Sequence, residues 1–190
     1  MTKEIEDLFL RFGKILEGFP EVRYAGDPVL REPTQEVSVE EGVLLGKKLG
    51  EVLIRYRKTV GYGRGFAAPQ IGENKSVFVT FVNDQLETFI NPKIVKKSET
   101  TNFYRELCLS SGIMSADVER PDWIVMEYIN EKGEKHKDKF DGFLARLYQH
   151  EEAHLRGIIN LDEAAQGGIE FAVFDPLKEE IRTSRHMGVE

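Results

Sequence analysis

Residues 149–157 read Gln149-His150-Glu151-Glu152-Ala153-His154-Leu155-Arg156-Gly157, and the rest of the chain is best read outward from them. The pattern His-Glu-x-x-His carries chemistry only on a helix. Four residues turn about 400° there, so His150 and His154 lie about 40° apart on one face, one turn above the other. Two imidazoles in that position can grip one divalent ion. Glu151 projects about 100° round from His150, too far for the same ligand role but near enough to reach a water on that ion. A surface helix with incidental histidines would carry the same letters, so the pattern needs a further donor. A helix from about Phe143 to Arg156 accommodates it, and Gly157 is a natural stop.

Few donors remain. His136 lies in a charged turn and His186 in the C-terminal tail, and both read as exposed surface. Cys108 is the one good candidate, within Arg105-Glu106-Leu107-Cys108-Leu109-Ser110-Ser111-Gly112, a segment expected to be extended and to run beside the helix. A thiolate with two neutral imidazoles makes a tetrahedral site with one position open, the mark of a catalytic rather than a structural ion. Alone, a single cysteine reads equally as a small core residue. Being the only one, it forms no intrachain disulfide, which fits a reducing compartment and a cytoplasmic location.

Further upstream, Gly61-Tyr62-Gly63-Arg64-Gly65-Phe66-Ala67-Ala68-Pro69-Gln70 has three glycines in five residues. It lacks Gly-Lys-Ser/Thr and GxGxxG spacing, and Pro69 blocks an immediate helix, so it is no phosphate loop. Bare backbone that lets a substrate approach closely is the better reading; a plain loop with a buried Ala-Ala turn is the other.

Around these segments the pattern predicts one α+β domain over residues 1–190. Ile5, Leu8, Phe9, Phe12, Ile15 and Leu16 have helical spacing over residues 3–17, ended by Gly18 and Pro20. Gly26 to Pro33 is extended or turn-like because its two prolines forbid a regular helix. A second helix over about 39–58 offers Val43, Leu44, Leu49, Val52, Leu53 and Ile54 as its buried face. Strands are expected at Val77–Val82, Thr88–Ile90 and Trp123–Ile129, with a hairpin turn at Asn130–Gly133 and solvated charges from Glu131 to Lys139. The net charge of −7 argues against broad nucleic-acid binding. No apolar run reaches the length of a membrane span, and the acidic start MTKEIEDLFL is no secretory signal.

Together the three segments resemble the peptide deformylase family, which carries GxGxAAPQ, EGCxS and QHExDHxxG in this order. Here they stand as Gly63–Gln70, Glu106–Ser110 and Gln149–Gly157. Asp27–Arg31 and the approach Gly142–Arg146 are similar too, so the resemblance covers about 26–163 and leaves residues 1–24 as a helical extension. It implies an α+β fold with the His-Glu-x-x-His helix packed among antiparallel sheets. It also implies one divalent ion on Cys108, His150 and His154: Fe2+, with Zn2+ or Ni2+ as substitutes. Glu151 would be the general acid/base, and the Gln70 amide with the Leu109 N–H would stabilise the oxyanion. The substrate implied is the N-formyl-methionine end of newly made polypeptides, with transient ribosome contact, although the tail after Phe174 offers no clear ribosome-binding helix. Gly63, Arg64, Gly65 and Leu107 would line the peptide. Phe143 and Leu147, within about 20° and 60° of His150 on the wheel, would wall a methionine pocket or simply be core.

Several positions depart from the family pattern. Leu107 replaces a glycine beside the bound peptide, Ser111-Gly112 replaces a residue-plus-proline, and Arg64 replaces a small aliphatic. Ala153 replaces an aspartate, leaving a base such as Arg120 to find Glu106 or Glu152. Two alternatives are a zinc peptidase using Asp162 or Glu163 as third ligand, and a non-catalytic relative that recognises formylated or nascent chains.

Overall fold

Eight strands and three helices form within residues 2–173, the part of the chain that the computed structural model describes. In chain order they are α1 (Lys3–Gly18), α2 (Val39–Val60), β1 (Gly65–Ala67), β2 (Val77–Val82), β3 (Gln85–Lys97), β4 (Thr101–Leu107), β5 (Met114–Pro121), β6 (Trp123–Ile129), β7 (Lys135–Asp141), α3 (Gly142–Leu155) and β8 (Ala164–Phe171). His186 and the tail after Phe174 lie outside the described residues. Five strands make one antiparallel sheet in the order β1-β2-β3-β6-β7, and β4-β5-β8 make a second. This is the α+β arrangement expected.

Two features build the larger sheet's core. Phe78 and Phe89, paired in register on β2 and β3, stack at 4.6 Å and bury completely or nearly so. On the opposite side α2 lies against the sheet, started by a full capping box in which Ser38 and Glu41 satisfy each other's backbone N–H. Its contact face differs from expectation. Leu49, Val52 and Leu53 are buried as read, but Leu44 is 68% exposed, and Gly42, Gly46 and Gly50 instead make the closest approach to β3. Likewise α1 buries Leu8 and Ile15 while Phe9 and Leu16 face outward.

Helix α3 is enclosed along most of its length: Ala145, Arg146, Tyr148, Gln149 and Glu151 to Leu155 are all buried, polar residues included, because strands of both sheets pack against it. It ends where Gly157 takes a left-handed φ of 78°, and a Cβ there would lie 2.6 Å from the Arg31 carbonyl carbon. The Pro28–Arg31 turn therefore seats against the end of α3 only because residue 157 is glycine. Strand β5 was not legible beforehand, since Ser115, Asp117 and Arg120 are buried polar residues inside it. β8 was missed too. The Lys135–Asp141 charges do form the solvated hairpin strand expected, paired with β6.

Candidate metal and catalytic centre

Strand β4 delivers Cys108 to α3. Its seven-residue pairing with β5 ends at Leu107, and Cys108 then opens a single 3-10 turn (Leu109–Ser111). There Cys108 Sγ lies 3.2 Å from His154 Nε2. One donor atom from each of Cys108, His150 and His154 lies within 4.8 Å of the others, the scale spanned by ligands at 2.0–2.3 Å from one ion. His150 Nδ1 is engaged by Glu106 Oε2 at 2.8 Å, which directs the other ring nitrogen inward. These donors fit a divalent ion.

Glu106 is the hub behind this pair, and the sequence reading saw only part of it. Its carboxylate accepts Arg120 Nε at 2.6 Å and Nη2 at 2.8 Å, and Arg146 Nη1 at 2.7 Å, all within the buried interior. Arg120 thus finds Glu106, as one of the two options proposed, and Glu163 at 3.0 Å, while Glu152 pairs with Arg156 instead. Burial raises the Glu106 pKa, but Arg120 outweighs it and holds the carboxyl well below the ordinary carboxylate value. Its backbone is held as well, since Asn160 donates to the Glu106 carbonyl and accepts from Ser111 Oγ. Nothing local in the sequence marks Arg146 or Asn160, because their partners come from distant segments of the chain.

The remaining groups surround the cluster. Burial pushes the Cys108 thiol up, yet His154 and His150 bring it well below the ordinary thiol value. His150 is lowered by burial, but Cys108 and Glu106 outweigh that and hold it well above the usual imidazole value. Glu151 is 3% exposed, and its Oε2 has no hydrogen-bond partner among the described residues. Burial raises its pKa to about 7, with His150 and His154 partly opposing. Gln70, 2% exposed, accepts the Ala67 N–H at 2.9 Å, so its NH2 is the end turned to Cys108 Sγ (3.5 Å) and Ser110 Oγ (3.2 Å). The Gly61–Gln70 segment is thereby part strand (β1) and part 3-10 turn rather than a plain loop.

One cleft holds these groups. Gly63, Arg64, Gly65, Leu107, Leu109, Phe143 and Leu147, all singled out from the sequence, line it together with Cys108, His150 and Glu151. Leu147 also packs on the aromatic core, and Phe143 is 41% exposed beneath the Arg64 guanidinium. His136 stays apart, stacked on Tyr128 at 5.1 Å. Asp162, paired with Arg31, and Glu163, paired with Arg120, are both occupied elsewhere, which removes the third ligand that the peptidase alternative requires.

The family model for polypeptide deformylase matches residues 19–168. The chain belongs to that family. A peptide deformylase of Pseudothermotoga lettingae is 37% identical over 166 residues, covering 86% of this chain and 93% of the relative. One of Treponema pallidum is 37% identical over 142 residues, covering 75% and 86%. Among solved structures, the peptide deformylase of Thermus thermophilus superposes with a TM-score of 0.70 at 30% identity, covering 77% of this chain and 86% of that one. That of Synechococcus elongatus gives 0.67 at 33%, covering 76% and 78%. The segment matched by the family model carries all three motifs.

Proposed function

We infer that the chain hydrolyses the N-formyl group from the N-terminal formyl-methionine of newly made polypeptides, releasing formate and a free amine. The observation that carries this reading is the meeting of one thiol and two imidazoles beside a buried carboxylate, in a cleft floored by bare glycine backbone.

Cys108, His150 and His154 would hold one divalent ion: Fe2+ by family resemblance, with Zn2+ or Ni2+ compatible with the same donors. When bound, such an ion supplies Lewis acidity, easing proton loss from water and polarising the formyl oxygen. Glu151 accepts the proton of the attacking water and passes it to the departing amine nitrogen, as the new C–O bond forms and the C–N bond breaks. The Gln70 NH2, fixed by the Ala67 N–H on its oxygen, points a ready donor at the developing oxyanion. Leu109 begins the 3-10 turn, so its N–H has no partner within that turn and would join the Gln70 amide at the oxyanion. Phe143 and Leu147 wall the methionine side chain, while Gly63, Arg64, Gly65 and Leu107 border the peptide backbone.

The test is formate release from formyl-Met-Ala by anaerobically purified protein with its metal content measured. Glu151→Gln should keep the ion and lose about 10²–10⁴ of the rate. Full activity in that variant, or metal binding that survives Cys108→Ser unchanged, would overturn the assignment.

A further inference from the structure

Helix α1 ends at Gly18, and the family match begins at residue 19, so α1 lies outside the matched segment. Yet Leu8, Phe12 and Ile15, one helical face of α1, line the same cleft as Cys108 and Glu151. The helix is seated by a local fit. The Phe12 ring packs edge-on to Tyr24 at 5.5 Å and covers Gly112, where a Cβ would lie 3.1 Å from the ring. Gly112 also has a φ of +65°, so the departure Ser111-Gly112 supplies both the turn after Cys108 and the space that α1 fills.

Charge is distributed unevenly in this cleft. Arg105 is neutralised by Asp117 and Glu170, and Arg146 by Glu106. Arg11 of α1 and Arg64 also line it, but neither has a carboxylate partner among the described residues. Instead their guanidiniums rest on aromatic rings, Arg11 on Tyr62 at 6.0 Å and Arg64 on Phe143 at 4.7 Å. Aromatic faces orient a cation without consuming its charge, so both keep their hydrogen-bonding edges for an incoming anion. In a chain with 33 acidic residues, two such cations in one cleft form a local positive field.

We propose that the cleft prefers formylated peptides whose free carboxylate lies close behind the formylated residue, with Arg11 and Arg64 receiving that carboxylate. The preference rests on the deformylase reading and adds short formylated peptides, which end in a free carboxylate close to the formyl group, to the newly made polypeptides, whose own carboxylate lies far along the chain. An apolar wall from α1 meets the segment just after the formylated residue, and the two guanidiniums meet its anionic end.

The experiment compares kcat/KM of the full, metal-loaded chain on formyl-Met-Ala as free acid and as C-terminal amide, at low ionic strength. The acid should be favoured about tenfold, the scale of one partly exposed charge-assisted hydrogen bond. Arg11→Ala should bring the ratio toward one, chiefly through KM, and Arg11→Lys should restore most of it. Arg64→Ala should move the ratio in the same direction. Formate released equally from acid and amide, or a ratio untouched in both alanine variants, overturns this inference and leaves the deformylase reading standing. Absence of formate from either substrate overturns both.

Discussion

Gly65 touches Glu151 so closely that a Cβ at residue 65 would stand 2.6 Å from the Glu151 carboxyl carbon. That carboxylate ends a side chain that lines the cleft, so a single methyl group at residue 65 pushes the proposed acid/base out of its position without touching any metal donor. Gly65→Ala should therefore lower formate release by about 10²-fold, the usual cost of an ångström of misplacement, with metal stoichiometry unchanged. Near wild-type turnover in this variant would mean that Glu151 does not act from the position seen. Leu107 poses the opposite case. Its side chain lines the cleft where the family pattern has glycine, one residue before Cys108. Leu107→Gly should raise activity on formyl-Met peptides, on the order of tenfold or about 1.4 kcal/mol, by widening the path of the peptide. A change in metal content instead of rate would place the residue's role at the ion and sink the idea.

Helix α2 sits close to β3 because glycines recur at every fourth residue on its inner face. A Cβ at Gly46 would meet Thr88 Cγ2 at 2.5 Å, and one at Gly42 would meet Ile90 Cγ2 at 2.6 Å. Helix propensity alone makes Gly→Ala favourable by about 1 kcal/mol, whereas overpacking costs about 1–3 kcal/mol. We expect the second effect to prevail at Gly46, so Gly46→Ala should lower the urea midpoint; a raised midpoint would show that the strand yields easily. The Glu106 hub joins β4, β5 and α3 by ionic contacts. Removing one partner leaves buried charge uncompensated, so Arg120→Met should cost about 3 kcal/mol in denaturant unfolding even though Arg146 and His150 remain. A loss below about 1 kcal/mol would mean that those two partners suffice.

At the scale of the whole molecule, the sequence disclosed what local spacing controls and concealed what distant segments decide together. His150 and His154 were readable as a pair because helix geometry alone puts them on one face, and Cys108 because no other uncommitted donor was in view. The α+β order followed from helices and strands falling in separate runs along the chain rather than alternating. Strand β5 was hidden because its polar residues are buried by partners from elsewhere: Asp117 by Arg105, and Arg120 by Glu106 and Glu163. For the same reason α1 was legible as an amphipathic helix but not as a wall of the cleft, and Arg146 was not legible as a partner of Glu106. The proposed ion ties these distant segments together, because its donors lie at the end of β4 and in α3, 42 to 46 residues apart along the chain. The unfolded chain cannot hold Cys108 near the two histidines, so an ion that binds only the folded state adds stability by mass action, about 2.7 kcal/mol at a hundredfold excess over its dissociation constant. For a chain of this length each kcal/mol moves the melting temperature by roughly 2–4 °C. Stripping the metal with a chelator should therefore lower Tm by about 5–10 °C, and re-adding it should restore the loss. Cys108→Ser should melt near the stripped protein and respond little to either treatment. If chelation leaves the Tm of the intact chain unchanged, the two segments are held together by packing and the Glu106 hub alone, and the three donors do not form a metal site.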